Sequence, residues 1–193
     1  MSSKSKPTVL AAVDADNEIP PPLDFSFKSL AGIQDAMDEE PRPGRHKFVK
    51  TTTESGQQKY KATILRFCYN AISDLQYFSS TLEHLLENPY DLSWLDLSFN
   101  DISTIDEVLL QYPKLKILYL HANSIEKLSE IDKLGALPEL FSVTLHGNPI
   151  ENIPGYKQYV ISALPHLKVL DTIPITNQDR SDALTWKRKF KKK

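Results

Sequence analysis

Leu92-Ser-Trp-Leu-Asp-Leu-Ser-Phe-Asn100-Asp-Ile102 decides how this chain folds, because it returns twice. Leu115-Lys-Ile-Leu-Tyr-Leu-His-Ala-Asn123-Ser-Ile125 and Leu140-Phe-Ser-Val-Thr-Leu-His-Gly-Asn148-Pro-Ile150 lie on it position by position. The shared pattern is L-x-x-L-x-L-x-x-N-x-L, with Val143 and three isoleucines standing in for leucine. Its asparagines step by 23 and then 25 residues, a period at which each unit is one whole supersecondary element.

The run x-L-x-L-x at the centre of each unit alternates apolar and other residues, so it predicts a short strand with its leucines on one face. Leu95 and Leu97, Leu118 and Leu120, and Val143 and Leu145 are the inward pairs. One unit cannot bury such a face alone, so the units must stack into a solenoid. Asn100, Asn123 and Asn148 mark where the chain turns away; a carboxamide there can pair main-chain groups of neighbouring rungs that would otherwise be buried without partners. The fold class is therefore α/β: a leucine-rich-repeat solenoid with a short parallel sheet on the concave face, short helices on the convex face and a helical C-terminal cap.

Working outward, Ala62-Thr-Ile-Leu65-Arg-Phe67-Cys-Tyr-Asn70-Ala-Ile72 fits the same template and reads as the first repeat. The 30 residues from Asn70 to Asn100 leave room for a convex helix over residues 79–87, where Leu82, Leu85 and Leu86 form a helical stripe behind a Ser or Thr cap. Residues 104–112 and 129–135 predict shorter convex helices capped by Thr104 and Ser129. Beyond Asn148, Tyr156, Tyr159, Val160 and Ala163 share one helical face. Leu167-x-x-Leu170-Asp171 is a last strand without the asparagine turn, as a terminal unit should be. Thr176 caps a closing helix through Trp186, with Ala183 and Trp186 packed over the open end.

The division expected is thus 1–60, 61–175 and 176–193. Residues 1–60 hold six prolines and read as extended or disordered, apart from an apolar anchor at 23–37 that includes Phe25, Phe27, Leu30 and Ile33. That anchor either packs on the first repeat or orders on a partner. The last seven residues carry six basic side chains, leaving 17 basic against 25 acidic residues in positions 1–186. Such an end is either a solvated terminus or a contact for an acidic surface, a tubulin tail or nucleic acid among them.

Composition removes several classes. The 193 residues are 25% charged with net charge −2, ordinary for a globular chain, and no apolar run approaches a membrane span. No apolar stretch of signal-peptide length follows the N-terminus, so secretion is not expected. One cysteine, Cys68, cannot form an intramolecular disulfide, and that points to a reducing, intracellular compartment. The six glycines form neither G-x-G-x-x-G nor G-x-x-x-x-G-K, and no H-E-x-x-H or nucleophile setting occurs, so no enzyme activity, small-molecule substrate or cofactor is expected.

Strand alternation also assigns the outward columns. One reads Ile64, Trp94, Ile117, Ser142, Val169; the next Arg66, Asp96, Tyr119, Thr144, Asp171; the third Cys68, Ser98, His121, His146. Trp94, Ile117 and Tyr119 side by side on an open sheet mark a protein-binding patch, with Asp96, His121 and His146 beside them. The competing reading is that the chain covers this patch itself with Phe25 and Phe27. His121 and His146 on adjacent rungs are two ligands, too few for a tight zinc site, so no metal is expected.

The ending Tyr-x-x-Tyr-Val … Leu-Pro-x-Leu-x-x-Leu-Asp resembles the cap of intracellular leucine-rich repeats, a class with small nuclear ribonucleoprotein, phosphatase-regulatory and dynein light-chain members. Pro22-Leu-Asp-Phe-Ser-Phe27, Ile33-Gln-Asp, Glu39-Glu-Pro41, residues 96–101, Tyr119-Leu-His121 with Asn123-Ser-Ile125, residues 144–149 and Trp186-Lys-Arg188 resemble the leucine-rich repeat-containing protein 51 family. The resemblance covers about residues 20–188; residues 44–60 depart most, and the Lys-rich tail is outside the pattern. It implies a cytoplasmic repeat protein linked to cilia or flagella, with axonemal or microtubule-associated protein partners and no catalytic residues. The alternative is a nuclear ribonucleoprotein or phosphatase-regulatory scaffold; the acidic body disfavours nucleic acid as a direct ligand.

Overall fold

A computed structural model describes residues 20–190 of the chain. Its strands are β1 (Leu23–Asp24), β2 (Lys50–Thr52), β3 (Gln58–Tyr60), β4 (Ile64–Arg66), β5 (Trp94–Asp96), β6 (Ile117–Tyr119), β7 (Ser142–Thr144), β8 (Val169–Leu170) and β9 (Ile173–Pro174). Seven of them form one sheet in the order β1-β4-β5-β6-β7-β8-β9, parallel from β1 to β8 and antiparallel at β9. The register aligns Leu23, Leu65, Leu95, Leu118, Val143 and Leu170 across the sheet. All six are buried, with Phe25, Phe67, Leu97, Leu120 and Leu145 stacked in a second inward column. The solenoid read from the repeat period is the observed architecture.

Each turn asparagine joins two rungs. Asn100 accepts from the Ile72 amide at 3.0 Å and donates to the carbonyls of Phe67 (3.0 Å) and Leu97 (3.1 Å). Asn123 repeats this with Ile102, Leu97 and Leu120, and Asn148 with Ile125, Leu120 and Leu145. The last rung lacks the asparagine. There Asp171 accepts from the Leu145 and His146 amides at 2.6 and 2.9 Å, and from the Tyr156 hydroxyl at 2.8 Å. Burial and this carboxylate push the Tyr156 hydroxyl pKa well above its ordinary value.

The solenoid starts earlier than the sequence pattern indicates. β1 pairs with β4, and Leu23, Phe25, Leu30, Ile33 and Ala36 are buried in the common core, so residues 62–75 form the second rung and the boundary expected at residue 61 falls inside the sheet. Asn70 supplies what the first rung lacks: its carboxamide oxygen accepts from Lys28 (3.0 Å) and Leu30 (3.1 Å), and its nitrogen donates to the Phe25 carbonyl at 3.0 Å. Residues 50–60 also are not extended chain. β2 and β3 pair antiparallel around a turn in which Gly56 takes φ +82°, a conformation glycine adopts without a Cβ penalty. The expectation of disorder for residues 1–19 lies outside the described residues.

Convex connections are short. Helix α1 (Phe78–Leu85) begins one residue before the expected Ser79, behind Tyr77 at φ +61° and without a side-chain cap. A 3₁₀ turn at Glu107–Gln111 is capped by Asp106, whose carboxylate accepts from Val108 at 2.8 Å, and not by Thr104. The acid wins because it sits next to the first helical residue, where its charge faces the unpaired amides. Helix α2 (Glu130–Lys133) follows Ser129, which makes no capping bond; Glu130 instead accepts from Ile105 and Lys133.

The C-terminal cap is two packed helices, α3 (Tyr156–Ala163) and α4 (Asn177–Phe190). Thr176 and Asp179 form a reciprocal cap for α4: Asp179 Oδ2 accepts from the Thr176 amide at 2.9 Å and Thr176 Oγ1 accepts from the Asp179 amide at 3.1 Å. Lys157 pairs with the same carboxylate at 2.7 Å, and these contacts hold its pKa below the usual range. Ala183 is buried, and Trp186 stands edge-on to Tyr159 with ring centroids 6.1 Å apart, so both close the open end as expected. Helix α4 runs on through Lys187, Arg188 and Lys189; residues 191–193 of the basic tail lie outside the described residues.

Candidate protein-binding face

Because β1 to β8 are two or three residues each, their outward side chains form columns at rung spacing. Register places Ile64, Trp94, Ile117, Ser142 and Val169 in one column, and Asp24, Arg66, Asp96, Tyr119, Thr144 in the next. Trp94, Ile117 and Tyr119 are half-buried, while Ser142 and Thr144 are buried, so the open part of the face lies over β4 to β6. The Trp94 and Tyr119 rings meet edge-on at 5.5 Å, and the Arg66 guanidinium lies 5.4 Å over the indole. The indole N–H is buried and has no acceptor among the described residues.

His121 links this patch to the next column. Its ring lies 6.0 Å from Tyr119 and stacks on His146 at 4.7 Å with planes 10° apart, while Nδ1 meets Thr144 Oγ1 at 2.8 Å. Burial, and then the neighbouring His146, lower the His121 pKa; Asp96 and Asp171 act in the opposite sense. His146 Nδ1 lies 3.3 Å from Asp171 Oδ1. The two imidazoles present faces to each other, so their lone pairs do not converge on a common point. Among the described residues no group of three His, Cys, Asp or Glu side chains is arranged to hold a metal ion.

Asp96 is partly structural: one carboxylate oxygen accepts from the amide and hydroxyl of Ser98 at 3.0 and 2.6 Å. Asp24 does the same for the Ser26 amide at 2.9 Å. Cys68 contacts Ser26 Oγ at 3.0 Å, and burial pushes its thiol pKa up, which suppresses the reactive thiolate.

Phe25 is not a surface residue. It is fully buried and stacks on Phe67 at 5.4 Å, because it sits at an inward position of β1's rung, so its assignment to the partner-binding face is corrected. Phe27, two residues on, is 62% exposed. The segment therefore does not lie across Trp94 and Tyr119; it extends the sheet by one rung.

Phe27 joins a feature the repeat pattern did not single out. Its ring stacks on Tyr69 at 4.3 Å, and Tyr69 stacks on Phe99 at 4.2 Å, with planes 10° and 9° apart. Phe99 meets His121 edge-on at 5.2 Å, and the Arg42 guanidinium lies 5.2 Å over Phe27. Ring contacts thus run unbroken from Trp94 through Tyr119, His121, Phe99 and Tyr69 to Phe27. The available signal is the residue before each turn asparagine, Tyr69 and Phe99 in the early rungs and Ala122 and Gly147 in the later ones.

Comparison with known proteins agrees with this geometry. A family model described as leucine-rich repeat matches residues 62–193. The chain is 47% identical over 173 residues to leucine-rich repeat-containing protein 51 of Bos taurus, covering 87% of this chain and 85% of that protein. It is 45% identical over 168 residues to leucine-rich repeat-containing protein 51 of Homo sapiens, with the same coverage of each. Among solved structures, the Drosophila melanogaster SNF/U2A′ complex superposes with a TM-score of 0.55 at 21% identity, over 74% of this chain and 88% of that one. At that identity the likeness shows the fold alone.

Proposed function

We propose that this chain, which belongs to the leucine-rich repeat proteins and among them to the family of leucine-rich repeat-containing protein 51, is a non-enzymatic scaffold that binds a protein partner across Trp94, Ile117 and Tyr119. The observation that carries the reading is the half-buried Trp94–Tyr119 pair on a sheet face that residues 20–37 extend by a rung and do not cross. Trp and Tyr dominate binding hot spots because they bring large, rigid contact area at little entropic cost. The strand backbones below them are already paired, so they lend side chains to a partner and take no main-chain bonds from it.

The assembly we assign it to is ciliary or flagellar and axonemal, with work in the cytoplasm; the support is the sequence resemblance described above. Among the described residues no helix is long and apolar enough to cross a membrane. The test is affinity purification of the tagged chain from ciliated and non-ciliated cells, beside the Trp94→Ala/Tyr119→Ala double variant. Axonemal proteins that co-purify with the parent and are lost with the variant, at an unchanged circular dichroism spectrum, are the expected result. Splicing factors or phosphatase subunits in their place would move the scaffold to another assembly, and partners retained by the variant would remove the face.

A further inference from the structure

The repeat requires the left-handed backbone of the sheet's turn edge, but not the rings carried there. Phe27, Tyr69 and Phe99 hold φ of +59°, +57° and +54°, the left-handed region that bulky residues avoid. The same column carries Ala122 at +53° and Gly147 at +73°, so the turn does not need a ring. Backbone strain retained at display positions is a mark of functional surface. The three rings are also the exposed ones, at 62%, 44% and 40%, in a stack whose faces are already covered by each other, by Arg42 at one end and by His121 at the other. What they offer is a continuous apolar ridge of ring edges.

The charges beside this ridge have a sign. Asp24 and Asp96 each commit one oxygen to their own Ser turn, and the Asp96 carboxylate also takes a hydrogen bond from the Cys68 thiol. Asp101, two residues after Phe99, is exposed. The cations of the region are Arg66 over Trp94, Arg42 over Phe27, and Lys28, which pairs with Glu39 at 2.9 Å. With Glu39 counted, four carboxylates stand against three cations at the ridge, within a body of 17 basic and 25 acidic residues over positions 1–186. A partner lying on this face gains no main-chain bonds from it, so a helix, whose backbone bonds are internal, fits it better than an unpaired extended segment.

We infer that the Phe27–Tyr69–Phe99 ridge, with Asp24, Asp96 and Asp101, docks a basic amphipathic helix of a protein partner. The inference rests on the scaffold reading above and adds the partner's chemistry. Apolar side chains of the helix lie against the ring edges, its lysines or arginines meet the carboxylates of Asp24, Asp96 and Asp101, and the acidic body steers the approach.

The test uses the full chain and two synthetic helical peptides with one leucine face, differing only in Lys/Arg or Glu on the polar face, read by fluorescence anisotropy. The basic peptide binds the parent, and binding weakens with salt. The Phe27→Asn/Tyr69→Asn/Phe99→Asn variant, in which asparagine tolerates the left-handed backbone, loses at least about tenfold in affinity. Asp24→Asn/Asp96→Asn, which keeps an acceptor for each Ser turn, weakens the basic peptide selectively. Preference for the acidic peptide, binding by neither, or full affinity in the triple-asparagine variant overturns the inference. Loss in Trp94→Ala with full affinity in the triple variant overturns the ridge and leaves the scaffold reading standing.

Discussion

Asn123 reaches across one rung of the solenoid to donate to the Leu97 carbonyl at 2.9 Å, while its own oxygen accepts from Ile102 at 2.9 Å. Both partners are buried main-chain groups, and the residue itself is 7% exposed. The repeat is therefore tied together by side-chain amides as much as by its leucines.

Replacing Asn123 with Ala is expected to destabilise the fold by about 1–3 kcal/mol, because it leaves the buried Ile102 amide without its acceptor, while the Leu97 and Leu120 carbonyls keep their second donors, Asn100 and Asn148. Urea unfolding measures this directly. An unchanged midpoint would mean that the ladder amides are satisfied some other way.

The turn-edge rings predict a different balance. Phe99→Asn gives up a stacked pair worth about 0.5–1.5 kcal/mol but relieves a left-handed strain of about 1–2 kcal/mol. Stability should therefore shift by less than about 1 kcal/mol, whereas Leu97→Ala two residues earlier, in the buried column, should lose about 2–5 kcal/mol. Thermal melts of the two variants separate the display position from the core position.

At the cap, Gly155 precedes α3 at φ +87°, and a Cβ there would come within 2.6 Å of the Trp186 indole nitrogen. Gly155→Ala should cost about 1–3 kcal/mol and push α4 off α3, seen as altered Trp fluorescence and faster proteolysis of residues 177–190. A variant as stable as the parent would show that the two helices are not locked at this contact.

The imidazole stack makes the face sensitive to acid. His121 has its folded pKa lowered from the ordinary 6.5, chiefly by burial and then by His146. A lowered folded value means that the unfolded chain binds the proton more readily, so this contribution is intact above about 6.5 and is lost as pH falls through the window below it. An NMR titration should find His121 below its ordinary value and moving upward in His146→Gln, where the opposing charge is gone. A His121 value at or above 6.5 in the parent would contradict the stacked geometry.

The sequence by itself determined the solenoid, the inward leucine columns, the register of Trp94, Ile117 and Tyr119, and the asparagine ladder. These follow from alternation within a strand and from a period of 23 to 25 residues, both local and repeated. It placed the cap as well, through Thr176, Ala183 and Trp186. The tertiary structure alone decided that Leu23-Asp-Phe is a rung, because that segment lies 42 residues from its pairing partner and its turn is closed by Asn70 from the neighbouring strand. It also decided the fates of Phe25 and Phe27: the same residue type two positions apart, one is buried in the core and the other, in the left-handed turn at φ +59°, is exposed on the ridge. Tyr69 and Phe99 were hidden for the same reason, since only stacking in space brings positions 27, 69 and 99 into one column of rings.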